Sequence, residues 1–570
     1  MLTIIFFMAK SETDLKDGSQ DEKFKDVLAC LALLLGVIGG AAQTYGWDWA
    51  TPAGGVGYDV GRAIASDSQG NLYSIGYFSG TATFGSTTLE TTGDFDIYIA
   101  KLDSSGNFLW AVQAGGTDDD QGYGIAVDAA ANVYVTGYYR GSAAFGSTTL
   151  TGNGMYDIFI AKLDTNGSFL WAVCAGGTND DCGLGIAVDA SANAYLTGFF
   201  QGTAIFGTTT LTTSGSYEAF AAKLDANGNF HWAVRAGGAF IDVGYGIAVD
   251  NSANVYLTGY FSNTATFGTL TLTSSGGSDI FAAKLDSNGN YLWAVRAGGT
   301  WDDLSRSIAV DSTANVYLTG YFSNSATFGT LTLTSIDASD DVFTAKLDNN
   351  GSFIWAVRAG GEWGDTGYGI AVDSAGNVCL AGDFQMLADF GATTLTSDGD
   401  NEIFVAELDS AGNYLWARQA FGSSVDHGYG IAVDDSGNIY LAGTFYTSAA
   451  FGTDPITSNG GADSYVAKLS SGVAADDDLM PDAASPSILS EVWPNPIRRG
   501  ETATIKAFID ERETGTLTIF NLRGQVISTH ELAPGEHQIS LDSGGLSSGI
   551  YLYQLEAKTV SAVRKLVILK

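Results

Sequence analysis

The feature that most constrains this chain is a Trp-Ala pair that recurs at an almost fixed interval. Seven copies occur, and successive tryptophans are 61 residues apart except for one interval of 62. So regular a period indicates one structural unit copied in tandem. The fold question is therefore what one unit forms and how seven assemble. The tryptophans are Trp49, Trp110, Trp171, Trp232, Trp293, Trp355 and Trp416.

The composition agrees with short strands joined by tight turns. The 570 residues include 74 Gly but only 7 Pro, and frequent Gly is typical of turns rather than of long helices. Lys and Arg total 26 against 63 Asp and Glu, for a formal net charge of -37. Because this charge repels phosphate backbones, we do not expect nucleic acid as a partner.

Each repeat is predicted to contain four short strands. In residues 183–236, four strand-like segments are separated by turn residues: Gly183–Asp189, Ala194–Phe200, Glu218–Asp225 and Phe230–Arg235. Four antiparallel strands repeated radially make one blade of a β-propeller. A linear solenoid is the alternative, but solenoids need polar caps on their end units, and none is visible in the sequence.

The two ends of the array favour a closed ring. The last unit has three strands, ending at Leu469, and lacks a Trp strand, while an extra Trp strand stands at Tyr45–Ala50. We therefore predict that Trp49 pairs with the strand around Val466, which removes an exposed edge. The predicted fold is all-β: a seven-bladed β-propeller of four-stranded antiparallel blades over residues 43–469, closed by an N-terminal strand.

The repeat motifs resemble a known family. Gly-Tyr-Gly-Ile-Ala-Val-Asp, Asn-Val-Tyr-Leu-Thr-Gly and Ala-Lys-Leu-Asp, followed by Gly-Asn-Tyr-Leu-Trp-Ala, are similar to the SBBP-type β-propeller repeat of bacterial surface proteins. The resemblance covers residues 46–469. It implies the fold and carries no catalytic residues.

The N-terminus is typical of an export signal. An uncharged, mostly apolar run of 14 residues, Val27–Gly40, follows two lysines and precedes Ala41-Ala42, which suits cleavage by a signal peptidase after Ala42. The run is too short to span a bilayer comfortably. We predict a signal peptide over residues 1–42. An internal start at Met8 and a buried N-terminal helix are the alternatives.

The repeat period ends before the C-terminal segment. Residues 470–487 are rich in Ser, Ala, Asp and Pro and are predicted to be a linker. Residues 488–570 alternate strand-like segments with Gly turns, which predicts a small Ig-like β-sandwich. Their motifs resemble the type A C-terminal sorting domain of the type IX secretion system; a generic Ig-like adhesive domain is the alternative. The motif residues are Pro494, Asn495, Pro496, Gly524, Gly549, Tyr551, Lys565 and Lys570.

These two terminal segments predict where the protein is located. The signal peptide implies Sec-dependent export to the periplasm. The resemblance to the sorting domain then implies passage across the outer membrane, with the type IX secretion machinery as partner, followed by secretion or display on the extracellular face. We expect no transmembrane helix in the mature chain, and we expect a monomer.

A recurring acid is the first candidate site. Each unit has one Asp where the chain enters the first strand, which lines the central channel of a propeller, so the seven would form a ring near one mouth. Such a ring could hold a cation such as calcium. We favour the other interpretation, that each Asp caps its own loop through backbone N–H groups, and we expect no cofactor. The seven are Asp59, Asp120, Asp181, Asp242, Asp303, Asp365 and Asp426.

Departures from the repeat supply the ligand-binding candidates. Three consecutive units end the fourth strand with Arg and carry an aromatic residue five positions later, unlike the other junctions. Exposed rings beside polar neighbours suit stacking on sugars or anchoring a protein partner. The alternative is that these units are recent duplicates whose rings pack under their own loops. The candidates are Arg235, Phe240, Arg296, Trp301, Arg358 and Trp363.

Catalysis has little support in the sequence. No nucleophile motif, metal-binding cluster or phosphate loop occurs, and His427 is the only His expected at a channel mouth. Cys174 and Cys182 flank one loop, so the sequence allows a disulfide bond between them but does not require one. We predict a secreted or surface-displayed module that binds or scaffolds a glycan or protein ligand and is not an enzyme. The alternative is an acid-based glycan-cleaving hydrolase or lyase that uses the ring carboxylates.

Overall fold

The computed structural model describes two bodies built from strands. The described residues are 45–397, 400–422, 424–472, 488–489, 497–509, 514–521, 523, 525–556 and 561–569, and none of them is helical. The chain divides into an N-terminal body, Met1–Ala475, and a C-terminal body, Asp476–Lys570. The predicted signal peptide and residues 473–487 of the predicted linker lie outside the described residues, so those boundaries stay predictions.

A four-stranded antiparallel sheet recurs seven times in the N-terminal body, and in each unit the first strand pairs with the second, the second with the third and the third with the fourth. The first strands are Asp59–Ser66, Gln121–Val127, Cys182–Val188, Asp242–Val249, Asp303–Val310, Thr366–Val372 and His427–Val433. The second strands are Leu72–Phe78, Val133–Tyr139, Ala194–Phe206, Val255–Phe267, Val316–Ser323, Val378–Phe384 and Ile439–Phe451. The third strands are Asp96–Leu102, Asp157–Leu163, Thr209–Leu224, Leu270–Leu285, Asp340–Leu347, Glu402–Leu408 and Asp454–Ser471. The fourth strands are Phe108–Gly116, Phe169–Gly177, Phe230–Gly238, Tyr291–Gly299, Phe353–Ala359, Tyr414–Gly422 and, for the seventh unit, Tyr45–Gly55.

A hairpin between the second and third strands accounts for the length of the repeat. In the third, fourth and seventh units it continues those two strands, and in the other units it forms separate short strands. Its first arm pairs with the fourth strand of the preceding unit, as Gly115 does with Ala144. The separate hairpins are Thr81–Phe84 with Thr87–Glu90, Ser142–Phe145 with Thr148–Thr151, Ser325–Phe328 with Leu331–Thr334, and Leu387–Phe390 with Thr393–Thr396.

The recurring Trp joins each unit to the next. The indole Nε1 of Trp171 donates to the carbonyl of Ala226, 3.0 Å away, in the third-to-fourth turn of the following unit. Gly228 in that turn has φ 85°, and a Cβ there would lie 3.0 Å from the Trp171 ring. The same indole-to-turn bond is made by Trp110, Trp232, Trp293 and Trp355. The 61-residue period therefore repeats a contact between units as well as a strand.

The two ends of the array pair as the sequence predicts. Tyr45–Gly55 runs antiparallel to Asp454–Ser471, with Trp49 opposite Lys468 and Thr51 opposite Val466. The seven first strands contact one another in a closed cycle, in which the first strand of the seventh unit contacts that of the first. Buried apolar side chains fill the space between neighbouring units; Ile99 of the first unit, for example, clusters with Val135 and Phe159 of the second.

The C-terminal body contains two sheets that share one core. A three-stranded sheet and a five-stranded sheet both contribute to a cluster that includes Ile505, Ile539, Leu517 and Tyr553. The three-stranded sheet comprises Ile488–Leu489, Thr502–Ile509 and Gly535–Asp542. The five-stranded sheet comprises Ile497–Arg498, Ser561–Leu569, Gly549–Glu556, Gly515–Asn521 and Val526–Leu532, in order across the sheet.

Candidate functional site

A cavity runs along the centre of the N-terminal body. Its volume is about 290 Å³, and residues from all seven first strands line it. A second cavity, of about 440 Å³, is lined mainly by Tyr, Phe and Asp from the second unit and its neighbours. Three consecutive positions of each first strand line this cavity, and we call the residues at the first of these positions the channel ring. The channel ring consists of Arg62, Tyr123, Leu184, Tyr245, Arg306, Tyr368 and Tyr429.

Two arginines in the channel ring are held among tyrosines. The guanidinium carbon of Arg62 lies 4.6 Å from the ring centre of Tyr429 and 5.2 Å from that of Tyr123, and its Nη2 donates to Tyr77 Oη at 3.2 Å. The guanidinium carbon of Arg306 lies 4.5 Å from the ring centre of Tyr245. Both arginines line both cavities.

The residues of the channel ring are not among the sequence-based candidates, although the sequence contains a signal for them. The first-strand motif Gly-Tyr-Gly-Ile-Ala-Val-Asp is broken at Arg62, within Gly61-Arg-Ala-Ile-Ala-Ser-Asp67, and at Arg306, within Ser305-Arg-Ser-Ile-Ala-Val-Asp311. Comparison of the same position in all units would have found both arginines.

His427 lies next to the cavity wall. Its ring stacks on Tyr429 with centres 5.1 Å apart and is edge-on to Tyr368 at 6.2 Å. Its Nδ1–H donates to Asp383 Oδ2, and Asp383 occupies a second-strand position that is Tyr in four other units. The contacts orient the imidazole as part of the wall and supply no nucleophile beside it.

The seven recurring Asp side chains are buried where the chain enters the first strand, and they do not form the cavity walls. All seven are at most 1% exposed, and none lines either cavity. In six, Oδ2 accepts the N–H four residues earlier at 2.6–2.8 Å. In six, Oδ1 accepts the N–H twenty residues later at 2.9–3.3 Å. These bonds tie the entry loop of the first strand to the end of the second strand.

A second buried acid lies beside each recurring Asp. In the fourth unit it is Asp279, separated from Asp303 by Gly298, where an added Cβ would lie 2.6 Å from Asp279 Cγ and 3.0 Å from Asp303 Oδ2. Burial raises the pKa of Asp303 to about 7 and the pKa of Asp365 to about 8. The second acids are Asp96, Asp157, Glu218, Asp279, Asp341, Glu402 and Asp463, and all are buried.

The three candidate arginines each pair with one of these second acids. Arg235 Nη1 lies 2.7 Å from Glu218, Arg296 Nη1 2.6 Å from Asp279, and Arg358 Nη1 2.7 Å from Asp341. The acids have no exposed side-chain surface, whereas the arginine side chains are 41%, 35% and 28% exposed. One terminal nitrogen of each guanidinium is therefore bound inside its own unit.

Replacement of Arg296 by Gln is expected to destabilise the fold in a pH-dependent way. Burial raises the pKa of Asp279, and the hydrogen bond from Arg296 opposes that rise. An acid whose pKa is raised by folding destabilises the fold only when it is ionised. The loss of stability in the variant should therefore be small near pH 4 and should grow as the pH increases through the folded pKa of Asp279. At pH 8 we expect the free energy of unfolding to fall by about 2 kcal/mol, which is less than the cost of breaking a fully buried pair. Denaturant unfolding of the full chain measures this change.

Two features of the chain make this measurement specific. Gln occupies the equivalent position at Gln113 and Gln419, so the substituted side chain fits the site. Arg140→Gln removes a guanidinium from an exposed position and should change stability by less than about 0.5 kcal/mol at either pH. Equal losses for Arg296→Gln at pH 5 and pH 8 would contradict the proposed role of Asp279.

The three candidate aromatic residues are exposed. Phe240 is 51%, Trp301 58% and Trp363 54% exposed, which argues against rings packed under their own loops. They occupy one position in three consecutive units, between the end of the fourth strand and the recurring Asp. Each of these three junctions thus has an Arg paired with a buried acid and, five residues later in the sequence, an exposed ring.

Metal ligands and disulfides are not evident in this site. Within the part of the chain that the structure describes, no group of three or more His, Cys, Asp or Glu side chains is arranged to hold a metal ion. Cys174 is exposed, Cys182 is buried, and both are free thiols. No helix among the described residues is long and apolar enough to cross a bilayer.

Three of the sorting-motif residues fall on described strands. Gly549 and Tyr551 begin one strand of the five-stranded sheet, and Lys565 lies opposite Leu552 on the next. Tyr551 is buried, and its hydroxyl donates to the carbonyl of Ser547 at 2.9 Å. Pro494, Asn495, Pro496, Gly524 and Lys570 lie outside the described residues.

Family comparisons identify both repeated and C-terminal motifs. Residues 491–569 match the model of a secretion system C-terminal sorting domain, and residues 109–138 and 415–444 match the SBBP β-propeller repeat. The chain therefore carries β-propeller repeats and a C-terminal sorting domain of the type IX secretion system, as its motifs indicated. This sorting domain indicates secretion or attachment to the cell surface.

Two curated proteins are similar in sequence. An uncharacterized WD repeat-containing protein, L264, of Acanthamoeba polyphaga mimivirus is 25% identical over 527 residues, which cover 74% of this chain and 38% of that protein. The regulatory protein FlaEY of Caulobacter vibrioides is 25% identical over 175 residues, which cover 30% of this chain and 18% of that protein. The chain thus spans well under two thirds of either relative.

Two solved structures are similar at low TM-score. A fungal alcohol oxidase in complex with copper has a TM-score of 0.37 at 11% identity, over 92% of this chain and 100% of that one. YCF48 bound to D1 peptide has a TM-score of 0.34 at 9% identity, over 75% of this chain and 98% of that one. Scores this low carry no argument about function.

Proposed function

We propose that the N-terminal body is a seven-bladed β-propeller that binds an extracellular polysaccharide. The C-terminal body acts as an Ig-like sorting domain that delivers the propeller through the outer membrane after Sec-dependent export. The cyclic contacts of the seven first strands and the pairing of Tyr45–Gly55 with Asp454–Ser471 support a closed ring. The two sheets around one core support the sandwich.

The observation that carries the binding role is the set of three exposed rings at one register position. Phe240, Trp301 and Trp363 are each more than half exposed, although burying an aromatic side chain is strongly favourable. Exposed aromatic faces beside polar groups are the usual platform for sugar rings. Their repetition in three consecutive units suits a ligand that is itself repetitive, which favours a polysaccharide over a compact protein partner.

The buried state of the recurring acids supports binding rather than glycan cleavage. Glycoside hydrolysis needs two carboxyl groups that flank the substrate bond, about 5 to 9.5 Å apart. The recurring Asp carboxylates have at most 1% exposure and accept backbone N–H bonds, so they are positioned to hold loops. This role requires no calcium, because backbone donors already occupy both carboxylate oxygens in five of the seven.

The double substitution Trp301→Ala and Trp363→Ala should weaken retention of the protein on an immobilised polysaccharide. Loss of two stacking platforms should lower affinity by roughly tenfold or more, measured by affinity electrophoresis against a panel of polysaccharides. No new reducing ends should appear in any reaction.

A matched substitution separates this effect from a general change of surface. Leu292→Ala removes an apolar side chain of similar exposure, 52%, from the fourth strand and should leave retention unchanged. Unchanged retention of the double Trp variant would rule out this surface as the binding site. Release of reducing ends that is lost on substitution of Asp303 would favour the hydrolase or lyase instead.

A further inference from the structure

Two positive charges in the central cavity form no ion pair with any acid that the structure describes. Among the described residues, neither Arg62 nor Arg306 forms an ion pair with a carboxylate, and the Nε of each is buried without a hydrogen-bond partner. Arg62 donates one hydrogen bond, to Tyr77 Oη. By contrast, Arg235, Arg296 and Arg358 each pair with a buried acid. In a chain with 63 acidic residues, two unpaired guanidiniums are unexpected.

The tyrosines around these arginines do not neutralise them. Burial raises the pKa of Tyr429 and of Tyr321 to about 12, so both phenols are uncharged at neutral pH and keep a proton to donate. Their ring faces attract the guanidiniums, and the guanidinium carbon of Arg306 lies 5.9 Å from the ring centre of Tyr321. The aromatic groups thus hold both cations in place and leave their charge available.

Three carboxylates near the cavities accept hydrogen bonds from side chains other than these arginines. Asp119 accepts from Tyr138 Oη at 2.8 Å and from Gln121 Nε2 at 3.1 Å. Asp180 lines the larger cavity together with both arginines; its Oδ2 accepts from Tyr217 Oη at 3.3 Å, and its Oδ1 is buried without a hydrogen-bond partner. Asp383 accepts from His427. Uncharged Tyr and Gln donors and His427 thus bind these three acids, and among the described residues none of the three forms an ion pair with Arg62 or Arg306.

The channel ring shows that arginine is not needed for the fold at this position. Four units have Tyr there and one has Leu, so an uncharged side chain satisfies the same packing. A charged group placed at low dielectric without a partner is costly. A bound anion would offset that cost, because guanidinium groups form short, charge-assisted hydrogen bonds with oxyanions and do so in a bidentate manner.

We propose that the central channel binds a small organic acid with two oxyanion groups, one at Arg62 and one at Arg306. Both guanidiniums line the same two cavities, of about 290 and about 440 Å³, a size that suits small molecules rather than chains. Phenol hydroxyls of the neighbouring tyrosines supply further donors. This site uses none of the exposed aromatic residues of the proposed polysaccharide surface, so each proposal can fail alone.

Calorimetric titration of the full chain with succinate tests the proposal. Succinate should bind saturably, and succinamide, which has the same shape without charge, should not. Arg62→Tyr and Arg306→Tyr should each weaken binding by about tenfold or more, and the double variant should show no binding. Inorganic sulfate, with one oxyanion centre, should bind more weakly than succinate.

The variants include their own folding controls. Tyr is the residue of the channel ring in four units, Arg306→Leu copies Leu184, and Arg140→Gln changes the net charge equally at an exposed site. Thermal unfolding without ligand verifies that each variant folds. Failure of the wild-type chain to bind succinate would overturn the proposal, as would binding that persists in the double variant or is lost equally in Arg140→Gln. If sulfate binds as tightly as succinate, the proposal that the ligand carries two oxyanion groups is wrong.

Discussion

A variant that lacks Tyr45–Gly55 is expected to lose the cooperative fold of the N-terminal body. This strand is the fourth strand of the seventh unit, and it pairs along most of its length with Asp454–Ser471. Its removal would leave that third strand as an open edge, and open edges template aggregation. We expect the loss of folding free energy to exceed the roughly 5–15 kcal/mol that stabilises a typical domain. The variant should show no cooperative unfolding transition, and size-exclusion chromatography should show high-mass species.

The side chains of this strand add to the expected effect. Tyr45 stacks on Trp416 with ring centres 4.8 Å apart, and Trp47 is edge-on to Phe451 at 4.8 Å. Trp47 Nε1 donates to the carbonyl of Gln419 at 3.0 Å, which ties the strand to the sixth unit. The truncation would therefore open an interface between units as well as a sheet.

Rescue in trans provides the control. A synthetic peptide of residues 43–56, added in excess during refolding, should restore the unfolding transition, whereas the same composition in scrambled order should not. A truncated chain that melts like the full one would show that the ring does not depend on this strand.

Deletion of residues 491–570 is expected to keep the protein in the periplasm. These residues include the segment that matches the secretion system C-terminal sorting domain, and the propeller repeats lie outside it. Protease added to whole cells of a host that has the type IX system should cleave the full chain at the cell surface. The truncated chain should be almost completely protected from that protease.

Two further strains make the result specific. A fluorescent protein with a signal peptide and residues 470–570 should reach the surface, and the truncated chain should still show the unfolding transition of its N-terminal body. Normal surface exposure of the truncated chain would contradict the role of this tail.

The sequence predicted the strand content and the closure because both depend on local patterns that every unit repeats. The position of Trp49 relative to the incomplete last unit was enough to place it against the strand of Val466, and the structure has this pairing. The sorting tail was predictable from ordered motifs alone, and the family comparison confirms it. The blade number and the Ig-like form of the tail stay proposals.

The candidate site was less predictable because it depends on what lies beside each residue. Arg296 and Trp301 were grouped as one binding patch from their spacing, yet the structure turns the guanidinium toward Asp279 and leaves the indole exposed. Asp279 and Arg296 are 17 residues apart, so no local pattern links them. The recurring Asp residues lie at the start of strands that line the central cavity, yet none of the seven lines either cavity; their position near a channel mouth stays a prediction.

The sequence by itself determined the repeat, its four strands, the closing partner and the export tail, since each follows from periodicity or from motif order along the chain. Only the tertiary structure decided which positions meet at the centre. Arg62 and Arg306 are 244 residues apart in the sequence, and they line the same cavities because cyclic contacts of the first strands bring distant units around one axis. Long-range packing of this kind sets the surroundings of a charge, and those surroundings determine whether it pairs within the fold or faces a ligand.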